Sequence, residues 1–347
     1  MISWRDAPGI DMEQARMVPF RRLLMVLAAA AVTACGKDGG KPESAGNARQ
    51  QASRGTAVPE VTARANAMTG ESAGSGRPSN QPPTVAGPLQ VSTAADYPWL
   101  SAASTTTVQT IPPPAGFTRL PANEHSFGRW LRGLPIRSGP VHLYDGRLKS
   151  NQSAHHAVVI IDVGTKDLQQ CADAVIRLRA EYLFAEGLGD QIAFHFTSGD
   201  LAEWAKWRDG WRPRVRGSKV AWATTAAKNA TYACFRGYLD TVFTYAGSAS
   251  LARELKAADD PQAIKPGDVF IKGGSPGHAV IVVDVAATAA GERVFLLAQS
   301  YMPAQEIHIL RNPGSAASPW YPAAATGELR TPEWTFRYED LRRFPGN

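Results

Sequence analysis

Between Gly36 and Ala95 the chain carries no aromatic residue, and Ala, Gly, Ser, Pro and Thr recur in runs such as GSGRPSNQPPTVAGP. A segment of this composition cannot bury enough apolar surface to offset its chain entropy, so residues 36–95 are expected to form a disordered linker. The foldable part then begins near Asp96, where DYPWL restores large apolar residues. Length alone would allow two domains, and 44% hydrophobic content can fill a sizeable core, but the linker leaves one α+β globular domain over residues 96–347 as the expectation. The net charge of +6 is mild for 347 residues and spread along them, which argues against nucleic acid as a partner.

Upstream of the linker, FRRLLMVLAAAAVTAC places two arginines, a short apolar run and small residues before Cys35. The run is too brief to span a bilayer and has the pattern of a signal peptide over residues 1–35. Its VTAC ending resembles the lipobox of bacterial lipoproteins. That resemblance implies cleavage before Cys35, lipidation of Cys35 as a membrane anchor, and, with Gly36 next, an outer-membrane lipoprotein facing the periplasm. Such a compartment is oxidising, so the remaining Cys171 and Cys234 could pair, although two free thiols are expected.

Along the foldable part, SFGRWLRGLPI has helical spacing closed by Pro135, and VHLYDGRLK reads as a hairpin turning at Asp145-Gly146. HHAVVIIDVG reads as a buried strand. TKDLQQCADAVIRLRAEYLFAEG follows as a helix with Leu168, Cys171, Val175, Leu178 and Tyr182 on one stripe. Within that stripe Cys171 is expected to be a packed core residue rather than a reactive one. Arg177, Arg179 and Glu181 are expected on the solvated side, the alternative being a buried Arg–Glu pair. QIAFHFTSG alternates Ile192, Phe194 and Phe196 inward and His195 outward.

DLAEWAKWRDGW sets Trp204, Trp207 and Trp211 at i, i+3 and i+7, which suits a helix packing them into a core; a stacking platform for a sugar ring is the sharper reading. NATYACFRGYLDTVFTYAG is a helix with Thr231 or Asn229 as N-cap and Gly247 as its stop. From Gly267 the chain turns β, with strands expected over residues 268–272, 279–285, 294–299 and 306–310.

Cys234 falls in the first turn of its helix, off the centre of the apolar face, where free amides and the helix dipole favour a thiolate. His278 follows the Gly-Ser-Pro-Gly turn at the mouth of an aliphatic strand, and Gln299 or Ser300 ends the next strand. Cysteine, imidazole and a polar group that fixes its tautomer are the parts of a thiol nucleophile's machinery.

The order of Cys234, then PGDVFIKGGSPGHAVIVVDV, then a strand ending in a polar residue resembles the cell-wall cysteine peptidases and amidases of the NlpC and CHAP type. The resemblance implies a papain-like α+β fold with helices followed by an antiparallel sheet, with Cys234 as nucleophile, His278 as base and Gln299 as orienter, acting on peptidoglycan. The bulky Phe235 and Arg236 after Cys234 depart from the small residues those families carry there. QQCADAVIRLRAEYLF, FRGYLDTVFTYAGSASLARELK, GSPGHAVIVVDVA and FLLAQSYMPAQEIHIL also resemble a bacterial lipoprotein family known only as a domain of unknown function.

Three readings stay open: a cysteine amidase or peptidase of the cell wall, a non-catalytic papain-like domain binding a glycan or envelope protein, and a histidine and cysteine with structural roles alone. His155 and His156 point to opposite faces of a strand and cannot easily bind one metal, and no zinc-ligand spacing or phosphate loop occurs, so no metal or other cofactor is implied.

Overall fold

The computed structural model describes residues 106–347. The expected signal peptide with Cys35, the linker over residues 36–95 and the domain start at Asp96 lie outside the described residues.

The strand His278–Ala287 organises the molecule. Nine of its ten residues are buried, because apolar material covers both faces. Ala279, Ile281 and Val283 face one core, while Val280 and Val282 face a second. A bulge between Val282 and Asp284 inverts that alternation, so Val285 joins the second core and Ala286 the first. Asp284 is thereby buried, where Arg119 Nε at 2.6 Å and Arg132 Nε at 2.8 Å neutralise it.

Around this strand the main sheet is antiparallel throughout. Its order is Ile136–Arg137, His155–Val159, His308–Leu310, Arg293–Gln299, His278–Ala287, Val269–Lys272, Leu341–Arg343 and Lys256–Ala257. Thr118–Arg119 also pairs with the central strand, and Tyr321–Pro322 with Arg293–Gln299. The helices are α1 (Phe127–Arg132), α2 (Cys171–Ala185), α3 (Trp204–Arg208), α4 (Tyr232–Tyr245) and α5 (Ser248–Glu254). All five contribute to the first core, with α2 against the central strand. The second core is closed by the hairpin Glu328–Arg330/Thr335–Arg337, whose Leu329 and Phe336 meet Phe270 and Phe295. The chain is therefore a mixed α/β fold dominated by antiparallel sheet.

The Pro-Gly-Asp phrase before the first C-terminal strand is structural. Gly267 sits at φ 89°, and a Cβ there would lie 2.7 Å from Phe127 Cδ1. Asp268 is buried; it accepts from Lys265 N–H at 2.8 Å and from Arg343 Nε and Nη2 at 2.6 and 2.7 Å, clipping the C-terminal strand to the sheet.

Several expectations change. Helix α2 begins at Cys171, six residues later than TKDLQQ suggests, so Leu168 precedes it and Cys171 is its first residue instead of the middle of a stripe. Asp173 Oδ2 accepts from Gln170 N–H at 3.1 Å and so marks the true start, although the apolar spacing continues past it. Arg177 and Glu181 are both buried, joined Nε to Oε1 at 2.6 Å, because Tyr232 of α4 covers them and donates its hydroxyl to Glu181. The Trp204 helix stops at Arg208, so Trp211 opens a strand, Trp211–Arg216. Between Val141 and Lys149 the turn forms at Gly146, φ 84°, but carries one isolated bridge, His142 to Leu148, in place of a strand hairpin.

Candidate functional site

Helix α2 starts in the floor of a cleft of about 560 Å³ lined by Cys171, Asp173, Ser248, His278, Tyr301 and Trp334, among others. Cys171 is half-buried and occupies the first helical position, where backbone N–H groups have no intrahelical acceptor. The backbone amides of Ala172 and of Ala279, the residue after His278, favour the thiolate. Burial, reinforced by Asp173, outweighs them and pushes the thiol up. Asp173 is itself buried, which raises its carboxyl well above the usual range.

His278 opens the central strand, placed there by the turn through Gly277. A Cβ on Gly277 would fall 2.5 Å from Gly274 O and 2.8 Å from Lys272 O, so the turn closes only around a glycine. The imidazole is 1% exposed and boxed by the rings of Tyr301, Trp334 and Phe336, with centroids at 4.8, 5.3 and 5.8 Å. Burial lowers its pKa to about 4, against the opposing pull of Gln299 and Glu333.

Gln299 ends the neighbouring strand and lies 2.9 Å, Oε1 to Nε2, from His278. Its own nitrogen donates to Glu333 Oε2 at 2.7 Å, and more distantly to His308 Nε2 at 3.4 Å. A carboxylate can only accept, so the Gln299 amide is held with its oxygen toward His278. His278 must then donate from Nε2, and its Nδ1 keeps a lone pair. Lys149 Nζ, 4% exposed, completes the row at 2.6 Å from Glu333 Oε1, so the buried ammonium is paired with a half-buried carboxylate. His308 Nδ1–H donates to Glu306 O at 2.9 Å, and burial lowers that imidazole to about 3.

The structure thus joins His278 to Gln299 but does not bring Cys234 to either. Cys234 lies in the first turn of α4, where its N–H donates to Thr231 Oγ1 at 3.3 Å, and its sulfur faces Arg212 Nη2 at 3.9 Å outside the cleft. Ser300, the alternative orienter, is turned away, with its hydroxyl 2.8 Å from the carbonyls of Gln169 and Gln305. That contact ties the segment before Cys171 to the end of the Gln299 strand. Both Cys171 and Cys234 are free thiols.

The three tryptophans share no face. Trp204 and Trp207 are 2% and 8% exposed in the first core, whereas Trp211 is exposed on a strand, so they form no common stacking platform. His155 Nε2–H donates to Gly139 O at 2.9 Å, while His156 is exposed. No group of three His, Cys, Asp or Glu among the described residues could hold a metal ion, and no described helix is long and apolar enough to cross a membrane.

Cys171, Glu333 and Lys149 are the site residues that sequence reasoning missed. One local signal pointed to Cys171: the small Ala172 after it and the capping Asp173 two residues on. Nothing in the sequence links Lys149 to Glu333.

What the arrangement offers chemically is a thiol at a helix N-terminus and a tautomerically fixed imidazole in one cleft. Comparison with curated proteins and with solved structures gives no match. The family comparison matches residues 107–343, more than half the chain, and the protein belongs to the family described as Domain of unknown function (4846).

Proposed function

We propose that the domain is a cysteine amidase or peptidase of papain-like architecture that acts on peptidoglycan, with Cys171 in place of Cys234 as nucleophile. The observation that carries this reading is the His278–Gln299 hydrogen bond beside Cys171 in a single cleft. Substituting Cys171 keeps the chain order resembling the NlpC and CHAP families, and it sets the small Ala172 where Cys234 is followed by the bulky Phe235.

In this mechanism His278 Nδ1 takes the Cys171 proton as sulfur attacks the substrate carbonyl. Free amides of the first turn of α2 are donors for the resulting oxyanion. The same nitrogen returns the proton to the departing amine, leaving a thioester. Water, deprotonated by Nδ1, then hydrolyses the thioester and frees the thiol. Gln299 holds the tautomer throughout. Burial keeps both thiol and imidazole neutral at rest, so proton transfer is coupled to attack rather than completed before it.

That resting neutrality is also what favours the second reading, a non-catalytic cleft that binds a glycan or envelope protein. Incubation with purified peptidoglycan separates the two. Release of new amino groups by the wild type and its loss in Cys171→Ala support hydrolysis. Binding without release in both proteins leaves the binding reading standing.

An outer-membrane lipoprotein anchored through Cys35 fits this substrate, since it would hold the domain at the wall. Cys35→Ala should then shift the protein from the membrane fraction to the soluble periplasm.

A further inference from the structure

A two-stranded ribbon, Trp211–Arg216 with Lys219–Thr224, stands apart from the main sheet and from the cleft. Its register places Arg212 opposite Ala223, Arg214 opposite Ala221 and Arg216 opposite Lys219, all on one face. Pro213, Val215, Val220 and Trp222 form the other face, half-buried, with Trp222 stacked on Phe196 at 6.2 Å. The basic face is therefore the outward one.

Its charges are not neutralised from within. No Asp or Glu occurs from Gly210 to Lys228, and Asp209 just before is taken by Lys228 at 2.8 Å. Arg212 is held by carbonyls, donating to Trp207 O and Trp211 O at 2.7 Å, and stacks over the Trp207 ring at 3.9 Å. Arg214, Arg216 and Lys219 are exposed and have no ion pair or side-chain hydrogen bond among the described residues. Arg216 and Lys219 also sit directly opposite each other, a cross-strand arrangement that destabilises a ribbon. A ribbon that keeps such a pair without an acid to relieve it is built for an external anion.

We propose that this face docks the domain on an anionic lipid surface. The argument for a bilayer over a soluble polyanion is shape and chemistry together. Ala221 and Ala223 between the cations leave the face flat, and it carries no aromatic group to stack on a base. A row of cations on a flat ribbon matches a plane of lipid phosphates, each basic residue being worth about fivefold in membrane partition. The proposal is independent of the hydrolase reading, since no ribbon residue lines the Cys171 cleft.

The test is vesicle co-sedimentation of the mature chain, residues 35–347 carrying Cys35→Ala, so that neither an acyl anchor nor the apolar signal segment contributes. Phosphatidylcholine vesicles with and without phosphatidylglycerol are compared at low and high salt. Partition should require phosphatidylglycerol, fall with salt, and drop roughly 100-fold in the Arg214→Gln/Arg216→Gln/Lys219→Gln variant. Lys219→Glu makes the cross-strand pair attractive, so it should raise resistance to urea while weakening partition, which removes misfolding as an explanation. Equal partition of the triple variant, indifference to phosphatidylglycerol, or tighter binding to soluble polyphosphate than to the vesicles overturns the proposal.

Discussion

Gln299 accepts a hydrogen bond from His278 at 2.9 Å through an amide that cannot turn round, because its nitrogen is simultaneously committed to Glu333 at 2.7 Å. A free primary amide rotates at little cost, and a rotated Gln299 would present N–H to Nε2 and move the ring's proton to Nδ1, taking the lone pair from the cleft. The Lys149–Glu333 ion pair therefore acts on His278 from one residue away, by fixing which imidazole nitrogen carries the proton.

Glu333→Ala should leave the buried Lys149 charge without a partner and cost about 3 kcal/mol of stability. Lys149→Met added to it should restore most of that stability in urea unfolding. Activity on peptidoglycan should stay down about 10-fold or more in the double variant with KM little changed, since the Gln299 amide remains free to rotate. Full recovery of activity with stability would reduce Glu333 to a structural role.

The two inner cysteines should part company. Cys171→Ala should abolish the proposed hydrolysis, lowering kcat by roughly 1,000-fold or more, while Cys234→Ala should leave it unchanged and cost about 1 kcal/mol or less of stability. Rates on peptidoglycan and urea midpoints for both variants check this. A Cys234→Ala protein that is folded but inactive would return the nucleophile to α4.

Stability should depend on pH through two buried imidazoles. In the folded protein His278 and His308 have pKa values lowered to about 4 and about 3, below the ordinary histidine value of 6.5. The unfolded chain therefore binds more protons between these limits, and stability is full above pH 6.5 and declines as pH falls toward 4 and 3. The loss is about 3 kcal/mol for His278 alone. Urea unfolding across this window should show the slope, and His308→Gln should flatten its lower part. For the proposed hydrolysis, the same lowering should keep His278 available as a base until pH nears 4, so the acid limb of kcat/KM should lie well below 6.5.

Gly277→Ala should displace the turn that delivers His278, because the added Cβ meets the Gly274 and Lys272 carbonyl oxygens. We expect a loss of about 2 kcal/mol and a fall in activity greater than that of an equally destabilising core change such as Val280→Ala. Parallel measurement of urea midpoint and rate for the two variants provides the check.

Several elements were legible in the residues themselves. The aliphatic run after His278, the helix capped by Thr231 and the inward set Ile192, Phe194 and Phe196 follow from patterns within a few residues, where backbone geometry alone fixes which side chains share a face. For the same reason the sequence could place His278 at the start of one strand and Gln299 at the end of the next. Which cysteine shares a cleft with His278 was decided by tertiary structure. Apolar spacing runs past the capped start of α2, and only the folded chain shows Cys171 as a first residue lining the same cleft as His278. Arg177 and Glu181 were recognisable as neighbours on a helix, but Tyr232, 51 residues beyond Glu181, determines that the pair is buried. Lys149 and Glu333 lie 184 residues apart, and no local pattern encodes a contact made when the C-terminal hairpin closes over the sheet. Secondary structure answers to short-range hydrogen bonding and periodic burial, whereas the cleft is assembled by packing between distant segments, and its chemistry became visible only there.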